Sequence, residues 1–284
     1  LEQLHVLAPP PVYQVGIPLR LRTLPITMDA VAFPTEGDSM EVQASFGIPT
    51  DAVLIHEEEG RYTTNLRTRF TLIDHELNVI HSTTRHKGYM IEGKPDTEDL
   101  FLLDTFKFKT VPGSYIAYLS AEDPESETSG GALLSLDLAS YGTDELQVSP
   151  ILLATDIQPT EGSGKFVRGG SRILPAPSRY LLFGHDLFFY FEISNLTESQ
   201  FHDYVWHESY YIIPHSPEEG IIKITHEHDY SRLQPRATRD MQIDLSSLEA
   251  TYEGPIFLVV LVTDLTSHKQ AIGVTLFNLR RPDN

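Results

Sequence analysis

"VPGSYIAYLSAEDPESETSGGALLSLDL" (residues 111–138) returns 141 positions later as "YEGPIFLVVLVTDLTSHKQAIGVTLFNL" (residues 252–279). Four positions are identical, Gly113/Gly254, Asp123/Asp264, Ser126/Ser267 and Leu138/Leu279, and the parts come in the same order. Each stretch reads as a glycine turn, an apolar strand, an Asp-led polar turn and a second strand. A further pair stands upstream at an offset of 145: "MEVQASFGI" (40–48) and "DLFFYFEIS" (186–194). In the first, Val42, Ala44, Phe46 and Ile48 alternate with other residues and share one face, the mark of a strand. In the second, Leu187, Phe189, Phe191 and Ile193 alternate with Phe188, Tyr190 and Glu192, so part of the strand is apolar on both faces and is expected to be covered on both sides. Two pairs at similar offsets predict an internal duplication.

Further strands are predicted at "RYTTNLRTRFTLID" (61–74), "DLFLLDTFKFKT" (99–110), "DYVWHESYYIIP" (203–214), "GIIKITHEH" (220–228) and "RDMQIDLSSL" (239–248). Clusters of Pro, Gly, Asp and Ser bound them, and the long helical repeats that a parallel sheet needs are missing. The pattern predicts an all-β chain of two tandem antiparallel β-sandwiches of immunoglobulin-like type. The expected organisation is an extended N-terminal segment over 1–20, a first sandwich over 21–148, a connector over 149–180 and a second sandwich over 181–284. The Pro-rich start "APPP" (8–11) suits an extended segment, and the Gly-rich middle of the connector suits a loop. The connector either serves as a hinge or is fixed by "SPILLATDI" (149–157) packing into the groove between the sandwiches.

The 284 residues are ample for two cores. Acidic residues outnumber basic ones 40 to 21, for a net charge of −19, which opposes docking on nucleic acid or an anionic membrane. The chain has no cysteine, which excludes disulfides, thiolate catalysis and Cys-ligated zinc. The longest apolar run, "GPIFLVVLVT" (254–263), is too short for a spanning helix, so a soluble protein is expected. The chain starts without Met and without a basic region leading into an apolar one, which suits a processed product or a piece of a longer polypeptide.

Motifs for chemistry are few. "GSGKF" (162–166) lacks both the upstream Gly and the following Ser or Thr of a phosphate loop. There is no G-x-S-x-G elbow, and forty acidic residues give too many carboxylate pairs for glycosidase geometry to be read. The candidate metal ligands are His226 and His228 in "IIKITHEHD" (221–229), which share a strand face with Ile222 and Ile224; His207, His215 and Asp229 are possible third ligands. With twelve histidines an accidental H-x-H is the plainer explanation. The candidate ligand or partner platform is Tyr204, Trp206 and Tyr210, alternate residues around the single tryptophan; exposed, they would stack on a sugar or fill a partner's pocket, and buried, they are sandwich core. "NLT" (195–197) formally matches a glycosylation sequon.

"DELQVSPILLATDI" (144–157) followed by "ILPAPSRYLLFGHDLFFYFEISNLT" (173–197) resembles the β-rich region that accompanies the GWxTD domain in a family of bacterial proteins. "VPGSYIAYLSAED" (111–123) and "AVAFPTEGDSMEVQASFGIP" (30–49) resemble that family's P-G-x-Y strand and its strand ending in an Ile-Pro pair. The Gly-Trp-x-Thr-Asp signature is absent, and Ser149-Pro150 stands where the family often has Ser-Asp. The resemblance implies an exported protein of a Gram-negative envelope, periplasmic or at the cell surface, and carries no catalytic residue across. The leading expectation is a non-catalytic scaffold or accessory subunit that contacts other protein subunits, without cofactor. The alternatives are a carbohydrate-binding sandwich and, after it, a metal-dependent enzyme.

Overall fold

The structure, a computed structural model, describes residues 13–14, 23–35, 37–91, 100–140, 145–182, 184–214, 222–245 and 254–280, the side chains of 13–14 and 222–228 excepted. It is all-β, with two sandwich-like units in tandem. Unit 1 comprises residues 1–30 and 42–139; unit 2 comprises 31–41 and 140–284.

Nine strands open the chain: β1 (Tyr13–Gln14), β2 (Thr27–Pro34), β3 (Met40–Pro49), β4 (His56–Glu58), β5 (Arg61–Asp74), β6 (Val79–Ile91), β7 (Phe101–Thr110), β8 (Gly113–Asp123) and β9 (Thr128–Leu138). They form a sheet ordered β2-β3-β7 and a second ordered β1-β9-β8-β5-β4, in which β6 also pairs with β5. The alternation read in β5 is the burial pattern observed, with Leu66, Phe70 and Leu72 inward. Phe70 meets Phe106 and Phe108 of β7 at ring-centroid distances of 5.4 and 5.1 Å, which closes one sheet on the other. One buried carboxylate crosses this core. Asp104 of β7 accepts from Lys87 Nζ and Tyr89 Oη of β6, both at 2.9 Å.

Eleven strands follow: β10 (Gln147–Val148), β11 (Leu152–Pro159), β12 (Val167–Arg168), β13 (Ser171–Pro175), β14 (Tyr180–Leu182), β15 (Leu187–Ser194), β16 (Tyr204–Pro214), β17 (Ile222–Arg232), β18 (Ala237–Ile243), β19 (Gly254–Asp264) and β20 (Gln270–Arg280). One sheet runs β10-β15-β11-β13-β12 with β18 also on β15; the other runs β14-β20-β19-β16-β17. Matching strand for strand, β3, β5, β6, β7, β8 and β9 correspond to β15, β16, β17, β18, β19 and β20.

The repeat extends to individual hydrogen bonds. Asp123 Oδ1 accepts from the amides of Glu125 (3.0 Å) and Ser126 (3.2 Å), and its Oδ2 from Leu54 (2.8 Å). Asp264 Oδ1 accepts from Thr266 (2.8 Å) and Ser267 (3.0 Å), and its Oδ2 from Thr197 (2.7 Å). In each unit one carboxylate therefore shapes the turn between the last two strands and pins a loop 69 (unit 1) or 67 (unit 2) residues earlier in the same unit. Burial pushes both carboxyls up, but the amides that donate to them, led by Leu54 and by Ser267, hold both below the ordinary carboxylate value.

Two expectations change. Residues 149–180 are not a separate connector: they hold β11 to β14, all within unit 2, because Leu152, Leu153, Ala154 and Ile173 are apolar enough to be buried. Unit 2 also takes in the tip of the β2–β3 hairpin, residues 31–41, which the expected boundary gave to the first sandwich. There Val31 and Phe33 pack with Leu152, Ala154, Ile173 and Tyr190 on the outer face of β15. The other face of β15 points Phe189, Phe191 and Ile193 into the main core, so the strand is covered on both sides as its sequence predicted. Arg168 fastens the tip: its guanidinium lies 3.7 Å from the Phe33 ring centre, pairs with Glu192 at 2.6 Å and bonds Glu41 at short range.

Candidate functional site

The aromatic strand β16 places its two faces in opposite roles. Trp206, Glu208 and Tyr210 point inward and are fully buried. Trp206 Nε1 donates to Glu208 Oε1 at 2.7 Å, Tyr210 Oη donates to Oε2 at short range, and Arg239 Nε of β18 lies 2.8 Å from Oε1. Arg239 also stacks on Tyr230, 3.9 Å from its centre, and Tyr230 stacks on Trp206 at 5.3 Å. Burial, reinforced by Glu208, raises Tyr210 well above the ordinary phenol value, so it stays a donor. Trp206 and Tyr210 are thus core residues of unit 2, with no ring face open to a ligand, and Tyr204 is half-buried against the same core. Of the two readings that the sequence leaves open, Trp206 and Tyr210 take the buried one. A large apolar body with one satisfied polar atom is what a buried Trp requires.

The outward face of the same sheet is different. Register pairs Ile213 with Phe257 and Phe257 with Leu276; Tyr211 with Val259 and Val259 with Val274; Ser209 with Leu261 and Leu261 with Ile272. Directly opposed residues share a face, so in three rows across β16, β19 and β20 every outward residue but Ser209 is apolar or aromatic. Ile272 is 56% and Val274 42% exposed; Phe257, Val259, Leu261 and Leu276 are half-buried. Soluble proteins rarely leave contiguous apolar surfaces of this kind uncovered.

The matching face of unit 1 shows that the architecture does not demand it. There the rows read Ile73–Ile116–Ser135, Thr71–Tyr118–Leu133 and Arg69–Ser120–Gly131. Polar contacts stitch it for water: Arg67 Nε lies 3.3 Å from Glu122, and Arg69 Nε donates to Thr84 at 3.2 Å.

One polar line borders the apolar rows. Asp229 Oδ1 is 2.8 Å from His207 Nδ1, and His207 Nε2 is 3.3 Å from Ser209 Oγ. Sequence reading passed over it because Asp229 and His207 meet only through the β16–β17 register. The order of contacts is that of a base held by a carboxylate beside a hydroxyl, but Ser209 is only 5% exposed, which seals its oxygen from a substrate and leaves a stitch that orders the rim.

His226 and His228 lie in the β17 backbone, and their side chains are outside the described residues. Among the described residues no group of three or more His, Asp or Glu is arranged to hold a metal, and no helix is long and apolar enough to cross a membrane.

No family model and no curated protein matches the chain. Among solved structures, Escherichia coli alpha-2-macroglobulin activated by porcine elastase is similar at 9% identity and a TM-score of 0.26, over 92% of this chain and 22% of that one. The chain spans less than a quarter of that protein, and likeness at this level carries nothing across.

Proposed function

We propose that the chain is a non-catalytic protein-interaction module, two immunoglobulin-like sandwiches that serve as a scaffold or accessory subunit of a bacterial envelope assembly, periplasmic or at the cell surface. The observation that carries the interaction role is the apolar outward face of unit 2, set against its more polar counterpart in unit 1, where Arg69, Thr71, Ser120 and Ser135 interrupt the rows. Soluble proteins keep such surfaces for partners.

Two details support the immunoglobulin-like type. Tyr115, at the start of β8, donates its hydroxyl to the Val111 carbonyl four residues back at 2.9 Å, the geometry of a tyrosine corner. Trp206, fully buried on β16, occupies the strand on which such sandwiches carry their core tryptophan. The envelope setting rests on the resemblance of residues 30–49, 111–123, 144–157 and 173–197 to the companion region of GWxTD proteins.

The test is isolation of the protein from the cells that make it, beside a Leu261→Lys variant. The wild type should come out in a complex of fixed composition, and the variant should come out alone with Trp206 emission unchanged. A wild type that is monomeric at its native concentration, or a variant that keeps the same complex, overturns the proposal.

A further inference from the structure

The apolar rows of unit 2 have a relief that complements itself. In the row Ser209–Leu261–Ile272 the two ends differ in height. Ile272, on β20, is 56% exposed and stands proud, while Ser209, on β16, is a small side chain only 5% exposed and lies low. Val274 continues the high side in the next row, at 42% exposed. A twofold axis laid along β19, in the plane between two facing sheets, sets Leu261 against Leu261 and brings each Ile272 over the Ser209 of the other copy.

The charge pattern suits the same pairing. Each chain carries −19, so two copies repel unless the surface on which they meet is neutral. Across β16, β19 and β20 the three rows hold no charged residue, and the flanking pairs on β19 and β20, Pro255–Asn278 and Thr263–Gln270, hold none either. Asp229, at the β17 border, is already met by His207. A partner drawn to so acidic a chain by charge would be met by acids, yet all forty are kept off these rows. The spacing of strands and residues makes the face of β16, β17, β19 and β20 about 20 by 33 Å in projection, which with side-chain relief approaches the roughly 800 Å² that each partner of a stable dimer contributes. The matching face of unit 1 carries Arg67, Arg69 and Glu122 and offers no second neutral surface, so the contact closes at two copies.

We infer that the chain pairs with a second copy of itself, face to face through β16, β19 and β20 of unit 2, with Ile272 of one protomer packed on Ser209 of its partner. This rests on the interaction role proposed above and names the partner.

The experiment is sedimentation velocity of the purified full chain over concentrations from about 1 to about 100 μM. The mass should rise from 32.0 kDa towards twice that value. Added salt should tighten the pair, because screening removes the repulsion between acidic chains and the face has no ion pair to lose. Ser209→Ile sets a high point against a high point and should weaken the dimer at least about tenfold. Adding Ile272→Ser to the same chain exchanges high and low points and should restore it, with Trp206 emission unchanged throughout. A chain that stays at 32.0 kDa, a dimer that loosens as salt rises, or a double variant no tighter than Ser209→Ile each overturns the inference. The Leu261→Lys chain separates the two ideas: if the native complex holds a different polypeptide and this variant loses it, while the purified chain stays single, the apolar face keeps its role and the second copy is refuted.

Discussion

Units 1 and 2 repeat a hydrogen-bonded turn amide for amide, yet they invert the charge that crosses the core. In unit 1 the acid, Asp104, stands on β7 and the base, Lys87, on β6. In unit 2 the base, Arg239, stands on β18, the counterpart of β7, and the acid, Glu208, on β16. The turn is conserved between halves because Asp is the short acceptor that reaches two amides of its own turn. The ion pair is free to invert because a core requires only that each buried charge meet an opposite one, from whichever strand. The outward faces diverge furthest: Ser120, Gly131 and Ser135 give way to Leu261, Ile272 and Leu276.

The inverted pairs are unequal in depth, and the largest predicted effect follows. Glu208 is fully buried and the Arg239 side chain is 13% exposed, whereas Lys87 is 36% exposed. Glu208→Leu leaves an uncompensated guanidinium and should cost about 3–5 kcal/mol. Urea unfolding followed through Trp206, which reports on unit 2 alone, measures it. Adding Arg239→Met should restore most of the loss, since a matched apolar pair removes the stranded charge. Lys87→Met should cost only about 1–2 kcal/mol, because Tyr89 still donates to Asp104 and water reaches the site. Equal costs in the two units would break the comparison.

The repeated carboxylates come next. Asp264→Asn should cost about 2 kcal/mol at neutral pH, and Asp123→Asn a similar amount, because each loses the charge that its amides were arranged to meet. Both folded carboxyls titrate below their unfolded value, so each adds stability that is complete above the unfolded value and is lost as pH falls through the folded one. The gap between wild type and either variant should therefore close in acid. A gap that stays constant with pH would mean that geometry, and not charge, holds the turns.

Most strands were legible because one face of each is apolar, which writes the period of two into β3, β5 and β7; in β5 the other face is also wet, whereas the polar face of β3, with Gln43 and Ser45, is buried. Double coverage was legible too in β15, where Tyr190 interrupts the polar phase. The same reasoning applied to "GPIFLVVLVT" points to β19, where Phe257, Val259 and Leu261 lie outward with no polar phase at all; sequence reading weighed that run only for membrane length. Residues 149–180 misled because their glycines sit in the turns of a hairpin excursion, β11 to β13, and Pro159 and Pro175 end its two longer strands. Two features were beyond any single strand. The Ser209–His207–Asp229 line depends on register across a bulge, and the cover of β9 by β1 depends on which strand lies beside it. The extra glycine of unit 1, Gly130, was the one local sign of a close crossing there, since a Cβ would sit 2.0 Å from the Leu24 carbonyl oxygen.

The smallest effect sharpens the comparison at one corner. Tyr115 donates to the Val111 carbonyl and also meets the Thr110 hydroxyl at 3.3 Å, while unit 2 has Ile256 in the corresponding place, 2% exposed and without a polar atom to satisfy. Tyr115→Phe keeps the ring and removes the donor, so it should cost about 1 kcal/mol and leave Trp206 unfolding untouched. Unfolding followed by circular dichroism, with Trp206 emission recorded in parallel, separates the units. Val111 is 59% exposed, so its carbonyl can take a replacement hydrogen bond from solvent, which caps the loss. A cost of several kcal/mol would mean that the corner organises the whole turn from β7 into β8 in unit 1, a task that unit 2 performs with packing alone.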